Sequence, residues 1–425
     1  MDYFEYSGGE LRCEGLAVRE IAERAGTPTY VYSAGTVLHH FSCLREAFAE
    51  VEPLLCYSVK ANGNLALLEL LAGAGSGFDV VSGGELYRVL RAGAKAERIV
   101  YAGVGKTDAE MAYALKQGVL MFNIESVAEL RGLSEVAEGL GKVARVAIRI
   151  NPDVDAHTHA YITTGRKGNK FGLDVETARE VVKRELGRLG GVKLVGVHAH
   201  IGSQITEVEP YERAVERVVE FAEDCRGAGH ELTHVNMGGG FGAFYVDRSA
   251  RSAEDFARVM VEPVKRTGLK LILEPGRFIV ANAGILLTRV LYVKEGADKR
   301  FVIVDAGMND LMRPALYGAE HVVWPVQSEV DVRVNGAGEG GKADIVGPIC
   351  ETGDFLARDR VFPEVKRGDL IAVFGAGAYG MTMSSNYNAR PRAAEVLVRD
   401  QRARLVRRRE TWEDLVGPEE SVRSL

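Results

Sequence analysis

Leu54-Leu55-Cys56-Tyr57-Ser58-Val59-Lys60-Ala61-Asn62 is the stretch on which the reading of this chain turns. An apolar run ends in a lysine, and Asn62-Gly63-Asn64 follows as turn chemistry. The pattern predicts a buried strand with Lys60 at its C-terminal mouth and a helix starting near Asn64. Lysine is seldom fully buried without a partner, so Lys60 has two readings. One is a side chain snorkelling at a sheet rim, which for a lone Lys is the commoner case. The other is an amine that forms a Schiff base, its ammonium destabilised by partial burial.

Outward from this strand the chain alternates. Short apolar runs recur near 54–59, 78–82, 99–103, 121–126, 146–152, 194–202, 234–240 and 271–276. Amphipathic helical patterns lie between them, such as 107–117, 126–140 and 211–226. Strands alternating with helices imply a parallel sheet. About eight such units in ~240 residues match a (β/α)8 TIM barrel. An open doubly wound sheet would want a G-x-G-x-x-G after its first strand, and none is present. After Arg277 the texture changes to strand-like runs at 285–293, 301–304, 343–346 and 370–374, with a further pair of strands over 396–406. The expected architecture is α/β: a barrel over 34–280 and a C-terminal all-β domain, a β-barrel or sandwich, over 281–425. Residues 1–33 read as short strands and turns packing with the β domain. Tyr30-Val31-Tyr32 is one such strand, and Ser33 is placed to cap a helix over roughly 35–50.

Composition narrows the class. The chain has 425 residues, a net charge of -6 and ordinary apolar and charged fractions of 46% and 26%. An acidic balance gives no support for nucleic acid or an anionic membrane as partner. The basic run 402–409 is interrupted by Ala403, Leu405 and Val406 and reads as an exposed strand. The five cysteines are widely spaced without a C-x-x-C, which fits a reducing cytoplasm rather than a disulfide or zinc framework. No signal peptide and no membrane-spanning apolar run are expected.

In such barrels function gathers at the C-terminal ends of strands, and the unusual residues of this chain gather there. Lys60 ends the first strand. Asp79 lies in the second, before Ser82-Gly83-Gly84. Arg149 precedes Asn151-Pro152-Asp153 at the end of the fifth. His198 and His200 lie on the sixth, before Gly202-Ser203-Gln204. Gly238-Gly239-Gly240 ends the seventh, and Glu274-Pro275-Gly276-Arg277 ends the eighth. Loops after the last two strands are a frequent phosphate site. Glycines there admit close approach of backbone N–H groups, with Ser203 and the backbone of Gly276 and Arg277 as further donors. A carboxylate beside a phosphate needs a cation facing it, and Glu274 against a pyridinium nitrogen meets that need. A phosphate, a ring nitrogen and a lysine adduct converge on one cofactor, pyridoxal 5′-phosphate (PLP). His200 would then stack on the ring, and Asp79 would hold Lys60 or a histidine. His198-Ala199-His200 is also the i, i+2 spacing of a metal pair on one strand face. His230, His234 and His157-Thr158-His159 are badly placed to complete such a site, so no metal is expected.

Three stretches of the β region stand out: Arg313-Pro314-Ala315-Leu316-Tyr317, Gly347-Pro348-Ile349-Cys350-Glu351-Thr352-Gly353-Asp354 and Gly375-Ala376-Gly377-Ala378-Tyr379-Gly380. Each taken alone is more often structural. Tyr387-Asn388-Ala389-Arg390-Pro391 suggests no chemistry by itself.

Together these stretches resemble the fold-type III, alanine-racemase-like PLP-dependent decarboxylases, in order and across essentially the whole chain. Tyr57 to Asn62, His200-Ile201-Gly202-Ser203-Gln204, Gly238–Gly240, Glu274–Arg277 and Ala378-Tyr379-Gly380 carry the resemblance. Asn151-Pro152-Asp153-Val154-Asp155, Thr164-Gly165, Lys170-Phe171-Gly172 and Cys350-Glu351 look like the diaminopimelate branch. Thr352 stands where that branch usually has Ser, keeping the hydroxyl. The resemblance implies that Lys60 carries PLP, that His200 stacks on it, and that Glu274 pairs with its ring nitrogen. Ser203, Gly238, Gly239, Gly240, Gly276, Arg277 and Tyr379 would hold the phosphate. Arg277, Arg313, Tyr317 and Tyr379 would bind the distal substrate carboxylate and Glu351 the distal ammonium. Cys350 would donate a proton, and Cys350 and Glu351 would come from the partner in a homodimer. Other branches take ornithine, arginine or carboxynorspermidine. Arg313 with Glu351 argues against the first two, whose far ends lack a carboxylate. A racemase needs a second opposed base, and a non-catalytic PLP-binding protein would be a lone barrel.

Overall fold

Eight strands pair in parallel and close on themselves: β1 (Leu54–Ser58), β2 (Gly77–Val80), β3 (Ile99–Tyr101), β4 (Met121–Ile124), β5 (Ala144–Asn151), β6 (Val192–His198), β7 (His234–Asn236) and β8 (Lys270–Leu273). Each pairs with the next, and β8 returns to β1 through Ile272 opposite Leu54 and Leu273 opposite Leu55. The expected (β/α)8 barrel is present. These are the features of a computed structural model whose described residues are 2–154, 170–245, 250–335 and 340–420. Asp155, Thr164-Gly165 and His157-Thr158-His159 lie outside them.

The helices start where the sequence supplies caps. Asn64, Ser82, Thr107, Ser126 and Ser252 each accept a backbone N–H of the first turn of the following helix, and Thr107 with Glu110 and Ser252 with Asp255 complete capping boxes. Four of these five caps sit in the loops that leave β1, β2, β3 and β4, so the same short segments end a strand and begin a helix. The barrel interior is filled by Cys56, Val100, Met121, Ala147, Val195 and Ile272, contributed by six of the eight strands. It is therefore a packed plug, and open chemistry is confined to the strand ends.

The chain divides into two units. One comprises His40–Ala243 and Ser249–Phe278, which hold the barrel. The other comprises Met1–His39, Phe244–Arg248 and Ile279–Leu425. In the second, the long strand Gly284–Glu295 is the hub. It pairs antiparallel with Thr29–Ser33, Arg300–Val304 and Leu370–Val373. Thr29–Ser33 pairs in turn with Ala394–Arg399, which carries the outer strand Arg402–Arg407. The basic run is thus an edge strand, its side chains exposed or half-buried. Ser33 Oγ accepts the Thr36 N–H at 3.0 Å and caps the helix Ala34–Ala47. Phe4–Ser7, Glu10–Cys13 and Leu16–Ala17 form a separate small sheet.

Elements additional to the sequence expectation include the helices Val18–Ala25 and Trp412–Glu420 and the strands Val323–Pro325 and Phe355–Phe362. In Phe355–Phe362, Arg358-Asp359-Arg360 interrupts the apolar run, and Asp359 takes a positive φ of 51° where the register with Gly341–Val346 shifts. A bulge at a charged, partly exposed strand hides the period-2 pattern.

At the floor of the barrel, opposite the strand ends that carry Lys60, His234 begins β7 and is only 8% exposed. Burial, with Arg145 and Lys270 nearby, lowers its pKa to about 4. An unfolded His titrates near 6.5, so between about 6.5 and 4 the unfolded chain binds the extra proton. Stability present above that window should fall as pH drops through it, by about 2–3 kcal/mol. Urea midpoints of wild type and His234→Gln measured from pH 7 to pH 4 should converge as pH falls, and parallel curves would rule His234 out as the cause.

Candidate active site

Lys60 follows β1 directly, in the short 3-10 turn Val59–Ala61. Its Nζ donates to Asp79 Oδ2 at 2.6 Å. Asp79 lies on β2 with no exposed surface, while the Lys60 side chain is 38% exposed. Ser58 Oγ also donates to Asp79 Oδ2, at 2.7 Å. Burial pushes the Asp79 carboxyl up, against the opposing pull of Lys60. The lysine is therefore neither buried in the plug nor free at a rim. One carboxylate aims it over the strand ends.

Glu274 follows β8 and is 5% exposed. Its Oε1 accepts two side-chain amides, Asn123 Nδ2 at 2.9 Å and Asn236 Nδ2 at 2.7 Å. Its Oε2 lies 3.4 Å from His198 Nε2. That separation is an ion-pair distance, but the geometry is not that of a hydrogen bond, since neither His198 nitrogen has a partner among the described residues. Burial opposes ionisation of Glu274, yet His198, Lys60 and the Asn236 amide outweigh it and hold the carboxyl far below its usual range. Asn123 and Asn236 were not among the expected site residues. The signal for them is a primary amide inside an otherwise apolar strand, as in Met121-Phe122-Asn123-Ile124.

The glycine loop after β7 has no room for side chains. A Cβ on Gly239 would stand 2.0 Å from the Glu274 carbonyl oxygen, and one on Gly240, at φ +104°, would stand 2.3 Å from the Gly202 carbonyl. The loop is also largely hydrogen-bonded. Gly238 N–H donates to Asn236 Oδ1, Gly239 N–H to His200 Nδ1 at 3.1 Å, and Tyr211 donates to the Gly239 carbonyl at 2.8 Å. Of the three N–H groups, Gly240 alone has no hydrogen-bond partner among the described residues, so it is the donor left for an anion. Nearby, the Arg277 guanidinium donates to Ser203 Oγ at 3.1 Å, which leaves the serine proton to point elsewhere.

His200 accepts at Nδ1, so its neutral form carries the proton on Nε2. Burial, with Arg149 and Lys60 beside it, lowers its pKa well below 6.5 and keeps the ring neutral. Arg149 is itself committed to Glu125 in a buried pair at 2.7 Å, a second polar contact that the sequence pattern did not suggest.

In the other unit, Arg313 and Tyr317 open and close the one-turn helix Arg313–Tyr317. Arg313 is 6% exposed, and its Nη1 lies 3.0 Å from His321 Nε2. Arginine can only donate, so His321 accepts at Nε2 and donates from Nδ1 to the Phe374 carbonyl at 2.8 Å. The Tyr245 ring covers the guanidinium at 4.4 Å. His321 and Tyr245, neither foreseen, thus fix the direction of Arg313. Tyr379 sits at a positive φ of 55° in its glycine-rich loop. Cys350 and Glu351 are exposed.

The mouth of the barrel fits PLP. A half-exposed amine, an ionised carboxylate with one oxygen not saturated by amides, a neutral imidazole, and a loop whose free N–H and nearby hydroxyl suit a phosphate all lie at adjoining strand ends. This fold and site define a pyridoxal-dependent decarboxylase, and residues 34–281 match the family described as "Pyridoxal-dependent decarboxylase, pyridoxal binding domain". The chain is 48% identical to the diaminopimelate decarboxylase of Aquifex aeolicus over 98% of this chain and 97% of that one. It is 50% identical to that of Pseudomonas aeruginosa over 99% of both. Among solved structures, diaminopimelate decarboxylase from M. jannaschii in complex with L-lysine is similar with a TM-score of 0.92 and 38% identity, over 100% of this chain and 98% of that one. The chain belongs to the diaminopimelate decarboxylase family.

Asn236→Leu tests the amide clamp. Removing one donor from a buried charged acceptor should cost about 1.5–3 kcal/mol. Urea unfolding of the variant should show that loss, and an unchanged midpoint would show that Asn236 does not hold the carboxylate.

Proposed function

We infer that this chain is a PLP-dependent carboxy-lyase that converts meso-2,6-diaminopimelate to L-lysine and CO2, the last step of lysine biosynthesis. The observation that carries the cofactor assignment is Glu274, a buried carboxylate kept ionised by the field of His198 and Lys60 and by the amides on its Oε1. Near-full-length identity to diaminopimelate decarboxylases supports the substrate, as do similar structures described as complexed with L-lysine.

When bound, PLP supplies an electron sink for the charge left on Cα as CO2 departs. Lys60 would anchor the cofactor, and Asp79, hydrogen-bonded to its amine, would accept the proton that the ammonium gives up, leaving both groups neutral. Glu274 would hold the proton on the ring nitrogen, and the neutral His200 would face the ring without charge repulsion. Ser203, the Gly238–Gly240 loop through its Gly240 N–H, the Gly276-Arg277 backbone and Tyr379 hold the phosphate. Arg277, Arg313, Tyr317 and Tyr379 bind the distal carboxylate, and Glu351 binds the distal ammonium. Cys350 delivers a proton to Cα. A site that pairs both charges of the distal end rejects substrates that leave one unpaired, which disfavours ornithine and arginine. In this reading 34–280 is the cofactor domain, 281–425 with 1–33 is the β domain, and Cys350 and Glu351 serve the partner's Lys60 in a homodimer. A cytoplasmic enzyme fits the five free cysteines.

Reconstituted protein should release CO2 and L-lysine from meso-diaminopimelate and leave ornithine and arginine unconsumed. Release of CO2 from ornithine at a comparable rate would favour the related decarboxylases instead. Borohydride reduction and peptide mapping should place the cofactor label on Lys60.

Subunit mixing tests the shared site. Lys60→Ala and Cys350→Ala homodimers should each be nearly inactive. After exchange, a mixed dimer has one site with both lesions and one with neither, so about a quarter of wild-type activity should return. Verified exchange with no recovery would mean that Cys350 serves its own chain.

A further inference from the structure

Tyr387-Asn388-Ala389-Arg390-Pro391 is the stretch that the chemistry above leaves unused, and it lies against the loop that carries Cys350 and Glu351. Both of those side chains are exposed, so packing does not fix them. Most of the loop's backbone is tied to the loop itself. Ile349 N–H donates to Asp354 Oδ2 at 2.6 Å, Glu351 N–H to the Ile349 carbonyl at 2.8 Å, and Asp354 N–H to the Glu351 carbonyl at 3.1 Å. The Cys350 N–H turns outward and donates to Asn388 Oδ1 at 2.9 Å.

Asn388 is held in an unusual conformation to accept it. It takes φ 55° and ψ 30°, and Ala389 follows at φ 52°. Two successive left-handed non-glycine residues are strained, and Asn is among the few side chains that visit this region readily. The neighbours brace the turn. Ser385 N–H donates to the Asn309 carbonyl at 2.9 Å, and Asn386 Nδ2 donates to the Arg390 carbonyl at 3.1 Å and to Glu410 Oε2 at 2.7 Å.

We propose that Asn388 is a positioning residue. It fixes the backbone of Cys350 and so the approach of its thiol. The proposal rests on the role given to Cys350 above. It predicts that loss of the Asn388 contact slows turnover and leaves substrate binding nearly unchanged.

Glycine accepts φ near 55° without strain, so N388G deletes the acceptor and spares the backbone, whereas N388D keeps both. In PLP-loaded enzyme, hydrogen exchange in the peptide spanning 349–354 should be several-fold faster in N388G and near wild type in N388D. With meso-diaminopimelate, N388G should lose about five- to tenfold in kcat with KM within about twofold, and N388D should restore kcat. Unchanged exchange and kcat in N388G, while Cys350→Ala is inactive, would overturn the positioning role and leave the assignment of Cys350 intact. Full activity of Cys350→Ala would instead overturn that assignment and the proposal with it. Should N388G not fold, N388A deletes the same acceptor, and unchanged exchange and kcat in that variant would overturn the proposal.

Discussion

The Glu274 carboxylate, clamped by the Asn123 and Asn236 amides, is the constraint around which the barrel mouth is arranged. Burying an ion costs several kcal/mol even after relaxation. Hydrogen bonds to a charged acceptor return about 1.5–3 kcal/mol each. Two amides on one oxygen therefore offset much of the penalty but leave the second oxygen in want of a cationic partner. His198 and Lys60 supply part of that field. A pyridinium at Oε2 would complete it, which is why the arrangement suits a protonated heterocycle better than a neutral ligand.

The clamp also explains why three barrel strands end as they do. Asn123 comes from β4, Asn236 from β7, and Glu274 follows β8, so the amides reach one carboxylate only when the barrel is closed. The Gly238–Gly240 loop is drawn into the same contact. Glu274 N–H donates to the Gly238 carbonyl at 2.7 Å, and the Gly239 backbone lies where any Cβ would strike the Glu274 carbonyl. The elements assigned to the ring nitrogen and to the phosphate are thus one hydrogen-bonded structure. A change in one glycine would be felt at the carboxylate.

Local pattern made the barrel legible. Each strand is a short apolar run, most of the early loops carry a capping residue, and the periods of 2 and 3.6 alternate along the chain. The chemically odd residues at strand ends, Lys60, Asp79, His200 and Glu274, stood out because charge is costly there. Their supporting partners did not. Asn123 and Asn236 are 113 residues apart, and only closure of the barrel makes them neighbours. His321 reads as an ordinary polar residue until Arg313 is seen to need an acceptor that is itself oriented by the Phe374 carbonyl. The strand Phe355–Phe362 was hidden by three charged residues at a bulge. What sequence withholds is the identity of long-range partners, since their pairing is a property of the closed fold.

Asp79 and Glu274 make the final point. Both are buried carboxylates within the field of Lys60, yet their environments drive them apart. Burial moves Asp79 upward because its compensation comes chiefly from one lysine and one hydroxyl. Glu274 moves downward because His198, Lys60 and an amide act together. Pairs of titratable groups pushed in opposite directions mark a division between a group that exchanges protons and one that stays charged. Under the function inferred here, Asp79 is the group that exchanges, beside an amine that must bind and release. Glu274 is the fixed charge that keeps a ring nitrogen protonated. A barrel mouth with two equally ionised carboxylates would bind a cation. One with unequal carboxylates can hold one proton still while another moves.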